Sequence, residues 1–183
     1  MKNWKEVYKL LQSSSEWNKL KKYLKNFSEN KSPNVENIWD IMNRVWDDMG
    51  LDNIEYTSDE LGKYYSHPVW FLNGLFIESD EESMSHRKSV AGYFTSKKSL
   101  KILDYGGGFG TLAKEISAQT PSSQIDIYEP HVSKFAFENI KNFYNINIIN
   151  FLKENYYDVL VNTDVLEHVE DPISLISIYN NCL

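Results

Sequence analysis

The sequence predicts an α/β fold, a parallel sheet with helices packed on it, preceded by a helical region. Two observations carry this. From Leu100 onward, short apolar runs alternate with segments of helical period, the rhythm of strand–helix–strand units. Before that point, apolar residues recur every three or four positions and no strand-like run interrupts them. The expected organisation is a helical region over 1–96 and a sheet-bearing core over 97–183.

In the helical region, Trp4, Val7, Tyr8 and Leu11 form one stripe, and Trp17, Leu20, Tyr23, Leu24 and Phe27 a second. Ser13 with Glu16 has the form of a capping box, so two short helices are expected rather than one. A polar break over Ser28–Asn34 contains Pro33. Val35, Ile38, Trp39, Met42, Val45, Trp46 and Met49 then trace an apolar face that Gly50 closes. Thr57 with Glu60 and Ser79 with Glu82 mark two further helix starts, separated by the breaker His67-Pro68. In the core, 101–105, 124–129, 146–150 and 157–162 read as strands, with helices over 111–119, 131–143 and 172–181. No internal repeat or low-complexity linker is present.

The totals exclude several classes. The 183 residues suit one domain with a sizeable core, plus an appendage. Nineteen basic against 26 acidic residues give a net charge of −7, the wrong sign for a surface that neutralises phosphates, so no nucleic-acid partner is expected. No apolar run approaches the roughly 18–20 residues that span a bilayer, and the start has no signal-peptide core. Cys182, the only cysteine, can form no internal disulfide, which suits a reduced cytoplasmic setting.

The chemistry concentrates in KILDYGGGFG, where four glycines fall within five positions after the first strand. Glycines without Cβ atoms let a backbone run close against a ligand. Gly108, Gly110 and Ala113 satisfy a nicotinamide-type G-x-G-x-x-G/A pattern with Glu129 at a distance suited to a ribose, but this leaves Asp104 unexplained. The longer string Asp104, Gly106, Gly108 and Gly110, D-x-G-x-G-x-G, resembles the first motif of the class I, Rossmann-like S-adenosylmethionine-dependent methyltransferases. The resemblance covers roughly 84–181. It includes a second block, DVLEHVEDP over 164–172, common after the fourth strand in the small-molecule branch of that family.

The resemblance implies a set of roles. Asp104 would face the cationic methionyl end of S-adenosylmethionine, and the glycines would line its methionine and ribose portions. Glu129 would accept hydrogen bonds from the ribose hydroxyls, the plainer alternative being a solvated strand end. Relatives often carry an acid after the third strand for the adenine amino group. Here Asn150 could supply a carbonyl and Phe151 an apolar wall. Asp164, with Asn162 and Thr163, would line the floor near the methyl group or simply face water. His168 is the candidate general base for an acceptor hydroxyl or amine, since imidazole titrates near neutrality. Glu167 could orient it, bind an acceptor amine or contribute to a metal site; alternatively both residues support the next helix. No metal ligand set is assigned. Tyr64, with Tyr65 and His67, would belong to a lid over the cofactor, and Arg87 could pair with the cofactor carboxylate; packing and a surface charge are the bland readings. Trp39, Trp46 and Trp70 are expected to be packing residues.

The family sheet has seven strands, in the order 3-2-1-4-5-7-6. Four are present here, giving the expected order 3-2-1-4, and the chain ends inside the helix that leads to the fifth. Either the chain is part of a longer enzyme or something else covers the fourth strand's edge. Homodimerisation through that edge, or burial of it by 172–183, is therefore expected. Three functions stay open: a methyltransferase, or its cofactor-binding part, acting on a small polar metabolite; a cofactor-binding protein lacking the acceptor half; and a nicotinamide oxidoreductase.

Overall fold

The computed structural model describes residues 4–12, 16–25, 27–28, 31–51 and 57–183. Two compact units result, residues 1–84 and 85–183. Ser13, half of the capping pair expected between the first two helices, lies outside the described residues.

The first unit contains α1 (Trp4–Gln12), α2 (Trp17–Leu24), α3 (Val35–Asp48), α4 (Ser58–Tyr65) and α5 (Val69–Ile77). Trp4 is buried and stacks on Phe27 at 4.6 Å, and the Tyr8 hydroxyl donates to the Leu24 carbonyl. On α3 the inward face is Ile38, Ile41 and Val45, spaced as one side of a 3.6-residue helix, and Asn34 caps its start. Trp39, expected to pack, stands 59% exposed because it lies about 100° around the helix from Ile38. Gly50, at φ +73°, ends α3 as expected. The Thr57–Glu60 capping box starts α4. The Ser79–Glu82 box does not form. The Ser79 hydroxyl instead donates back to the Leu75 carbonyl, and the Asp80 carboxylate accepts from the Ser83 amide before α6 (Glu81–Gly92).

The second unit is built on β1 (Lys101–Tyr105), β2 (Gln124–Tyr128), β3 (Ile146–Ile149) and β4 (Val159–Asn162), all parallel in the order β3-β2-β1-β4. This is the Rossmann-like arrangement expected. Between them run α7 (Thr111–Gln119) and α8 (Lys134–Ile140); a 3-10 turn (Leu166–His168) and α9 (Pro172–Cys182) follow. One sheet face presents Ile102, Ile125 and Ile127 to a core with Leu112, Ile116 and Phe94. Alternate residues put Leu103 on the other face, with Tyr157 and Cys182. The helix expected over 131–143 is shorter because the Ser133 hydroxyl accepts from the Phe135 amide and begins α8 late. β4 begins two residues late because the Tyr156 and Tyr157 amides both donate to the Cys182 carbonyl; pairing with β1 opens with the Asp158 amide donating to the Lys101 carbonyl.

Among the described residues β4 is an edge strand. Val159 and Val161 pack against the first core and Leu160 against the second. α9 buries Leu175, Tyr179 and Cys182, so it covers a sheet face; a helix offers no ladder partner to a strand edge.

A buried carboxylate crosses the second face. Asp126, 1% exposed, accepts from Lys153 Nζ at 2.7 Å, Asn147 Nδ2 at 3.0 Å, Tyr157 Oη at 3.1 Å and Gln124 Nε2 at 3.2 Å. Burial alone would raise its pKa, but these donors, Lys153 foremost, outweigh burial and hold it below the usual carboxylate value. A depressed folded pKa contributes stability above the unfolded value and loses it as pH falls through the folded one. Urea denaturation should therefore give an unfolding free energy that declines as pH drops below about 4. Asp126→Ala should cost about 3 kcal/mol at neutral pH, with the difference narrowing in acid.

Candidate functional site

The site forms where β1 and β2 end. Open α/β sheets expose ligand-binding crevices at the carboxyl ends of their strands, and here two strands deliver acidic residues together. Asp104 is the penultimate residue of β1, and Glu129 follows β2, which pairs with β1 through Asp104↔Ile127. The Gly106 amide extends that ladder to the Tyr128 carbonyl at 2.8 Å.

The β1–α7 loop then coils with three left-handed residues, Gly106 at φ +73°, Gly108 at +50° and Gly110 at +81°. Space is as restrictive as conformation. A Cβ on Gly106 would stand 2.4 Å from Val165 Cγ2, and one on Gly110 would stand 2.7 Å from Ile140 Cγ2. Gly107 has no positive φ, yet its Cβ would lie 2.6 Å from Asp104 Oδ2 and 2.9 Å from Ile127 Cγ2. The loop therefore lies flat on the Asp104 carboxyl.

Asp104 is 1% exposed, and its Oδ2 is buried without a hydrogen-bond partner. Burial pushes the carboxyl up to about 7, the Glu129 charge acts in the same sense, and the Arg87 charge opposes both. Glu129 receives one amide on each oxygen, Gly108 on Oε2 at 3.2 Å and His131 on Oε1 at 3.0 Å. Each oxygen keeps a lone pair for a further donor.

The remaining candidates fall on several elements. Asn150 and Phe151 follow β3, which pairs with β2 through Tyr128↔Ile149, so they continue beside Glu129. Phe151 is 62% exposed, unusual for a large apolar ring. Arg87 is half-buried on α6. Asp164, exposed at φ +56°, directly precedes the Val165 that packs on Gly106. Glu167 and His168 are exposed in the 3-10 turn, and the residue that caps α9 is Asp171. Tyr64 belongs to the other unit. There it is buried, edge-on to Trp46 at 4.9 Å and Trp70 at 5.6 Å, its hydroxyl pushed up to about 12 by burial. His67 is held down to about 4 by burial, and its Nδ1 accepts from the Val69 amide at the start of α5.

Gly107, Val165 and His131 were not singled out from the sequence. Gly107 was visible as the fourth glycine but falls between the alternating positions of the motif. Val165 and His131 carry no chemical signal, and only proximity in the fold reveals them. Among the described residues no group of three or more His, Cys, Asp or Glu gathers to hold a metal ion, and no helix is long and apolar enough to cross a membrane.

A methyltransferase-domain family matches residues 76–183. No curated protein matches the sequence. Among solved structures, a Methanococcus maripaludis protein assigned as an S-adenosyl-L-methionine-dependent methyltransferase is similar at TM-score 0.52 and 16% identity, covering 72% of this chain and 63% of that one. The plantazolicin methyltransferase BpumL, in complex with a monoazolic desmethylPZN analog and SAH, gives TM-score 0.41 at 24% identity, over 65% of this chain and 53% of that one. The mitomycin 7-O-methyltransferase MmcR gives 0.42 at 14%, over 88% and 44%. These likenesses concern the fold alone, and only the first has a TM-score that supports it. The chain spans 63% of that structure's length and less of the other two.

The packing of Gly107 on Asp104 has a direct test. Gly107→Ala should lower stability by about 1–3 kcal/mol in chemical denaturation, because a buried carboxyl and Ile127 must both shift. Gly92→Ala, where a Cβ would meet nothing within 4 Å, should leave stability within about 1 kcal/mol of the parent.

Proposed function

The chain belongs to the methyltransferase-domain family, and we propose that it binds S-adenosylmethionine at the glycine loop for methyl transfer to oxygen or nitrogen of a small polar acceptor. A sugar or a phosphorylated alcohol or amine is the acceptor class that suits the reading. One observation carries the cofactor assignment: the buried Asp104 carboxyl, its Oδ2 without a partner, lies beneath a loop with no room for a Cβ at Gly106, Gly107 or Gly110. A ligand with a cationic amino-acid end would be drawn toward that acid across the bare glycine backbone. The residues present fit the group.

S-adenosylmethionine, when bound, supplies an electrophilic methyl group on a sulfonium. The chain's own residues bind, orient and handle a proton. Glu129, fixed by the Gly108 and His131 amides, would accept the two ribose hydroxyls on its remaining lone pairs. Asn150 would offer its carbonyl to the adenine amino group and Phe151 an apolar wall, which gives the exposed ring a purpose. Arg87 would answer the ligand's carboxylate, and Asp164 would line the floor beside Gly106. His168 would take the acceptor's proton as the acceptor attacks, with Glu167 orienting the imidazole or holding an acceptor amine.

A second reading is a protein that binds the cofactor without turnover. A panel of acceptors separates the two. The nicotinamide reading gains nothing from the family match and leaves Asp104 without a role.

Glu129→Ala should weaken S-adenosylhomocysteine binding by about 1.5–3 kcal/mol, through loss of hydrogen bonds to a charged acceptor. Calorimetry on the folded variant checks this, and unchanged affinity would move the ribose elsewhere. In whatever form of the protein turns over, His168→Ala should cut turnover by about 10²-fold while cofactor affinity holds. Full turnover with an unshifted pH profile would remove His168 as the base.

A further inference from the structure

The glycine loop is held at both ends. Val165 packs where a Gly106 side chain would stand, and Glu129 accepts from the Gly108 amide. Toward α7 the hold comes from α8. Asn139, half-buried on α8, donates through Nδ2 to the Phe109 carbonyl at 2.8 Å, and its Oδ1 accepts from Lys114 Nζ on α7 at 2.8 Å. Next to it, Ile140 lies so close that a Cβ on Gly110 would stand 2.7 Å from its Cγ2. The two partners dictate which way the Asn139 amide faces. An ammonium only donates and a carbonyl only accepts, so Oδ1 must face Lys114 and Nδ2 must face Phe109.

The peptide that Asn139 grips is one that could otherwise turn over. The Phe109 carbonyl and the Gly110 amide share one peptide plane, and that amide donates to the Gly107 carbonyl at 2.8 Å. Gly110 stands at φ +81°. Rotating the plane by half a turn would take it to about −100°, a region that glycine populates as readily. Backbone preference therefore does not choose between the two orientations. The rotation would break the turn on Gly107 and withdraw the carbonyl from Asn139. The hydrogen bonds at the two ends of the plane decide, and one of them is supplied by α8.

We propose that Asn139 is a positioning residue for the cofactor: its side-chain amide locks the Phe109–Gly110 peptide and so keeps the glycine loop in the shape that receives the ligand. Lys114 orients the amide, and Asn139 acts through the Phe109 carbonyl. The inference rests on the cofactor reading above and adds to it the residue that sets the loop. Without the lock, part of the free protein holds the loop with this peptide turned over. The observed affinity then falls with the fraction that remains competent, because binding must first restore the turn.

The experiment is calorimetric titration of the full chain with S-adenosylhomocysteine at neutral pH, for the parent and three variants. Asn139→Asp keeps the shape and a partner for Lys114 but has no donor for Phe109. Asn139→Leu removes both bonds, and Lys114→Met removes only the bond to Lys114. The two Asn139 variants should each bind roughly tenfold more weakly, and Lys114→Met should lose less than about threefold. Hydrogen exchange without ligand should quicken at the Gly110 amide in both Asn139 variants, while the β1 amides keep the protection of the parent. A role confined to joining α7 and α8 gives another order: Asn139→Asp binds like the parent, and Lys114→Met is as weak as Asn139→Leu. That order, parental affinity in both Asn139 variants, or weakening by the added charge of Asn139→Asp alone would overturn this inference and leave the cofactor reading standing. If one Asn139 variant does not fold, the other is judged against Lys114→Met and by exchange at Gly110. No binding of S-adenosylhomocysteine to the parent would overturn both.

Discussion

The contact between Gly107 and the Asp104 carboxyl sets the terms for everything around it. A side chain at Gly107 would occupy the space of Oδ2, so loop and carboxyl can coexist only if that position is bare. Once the loop lies flat there, it must turn through left-handed conformations at Gly106, Gly108 and Gly110 to enter α7 within a few residues. Its Gly106 amide continues the ladder to Tyr128, its Gly110 amide closes a turn on Gly107, and its Gly108 amide finds Glu129. The same closeness deprives Oδ2 of any donor from the protein. Close packing thus leaves an unpaired acid oxygen where the carboxyl ends of β1 and β2 lie side by side.

The parallel sheet is what makes this placement possible. Parallel register puts the carboxyl ends of β1, β2 and β4 side by side, so that Asp104, Glu129 and the turn after β4 converge although they are far apart in sequence. Val165 ties the last of these to the loop by packing where a Gly106 side chain would stand. On the opposite face the Asp126–Lys153–Tyr157 network holds the β3–β4 connection against β2. The two buried acids of the core differ in one respect that separates their roles. Asp126 is surrounded by donors, whereas Asp104 is buried beneath the glycine loop and lacks a partner at Oδ2.

Much of this was legible in the sequence, for physical reasons. Strand positions followed from apolar runs such as KILDY and the helical period between them, since a sheet buried on both faces leaves a continuous apolar signature; the strand order came from the resemblance to the family's sheet. Gly50 and the Thr57–Glu60 pair were legible because caps are local chemistry. Ser79 misled because two serviceable caps compete there, and the hydroxyl went back to Leu75 while Asp80 took the cap. Trp39 misled because its spacing put it on the apolar stripe of α3, whereas the buried face turns toward Ile38, Ile41 and Val45. The special status of Gly107 and Val165 was not legible, because each depends on a neighbour brought close only by the fold.

The central claim is that the glycine loop over Asp104 is a cradle for an S-adenosyl ligand. Amide hydrogen exchange over residues 105–113 and 128–131, with and without saturating S-adenosylhomocysteine or NAD, tests it most directly. The account predicts added protection at Gly106–Gly110 and around Glu129 with S-adenosylhomocysteine and none with NAD. Protection by NAD, or an S-adenosylhomocysteine footprint that leaves the loop unchanged, would contradict it.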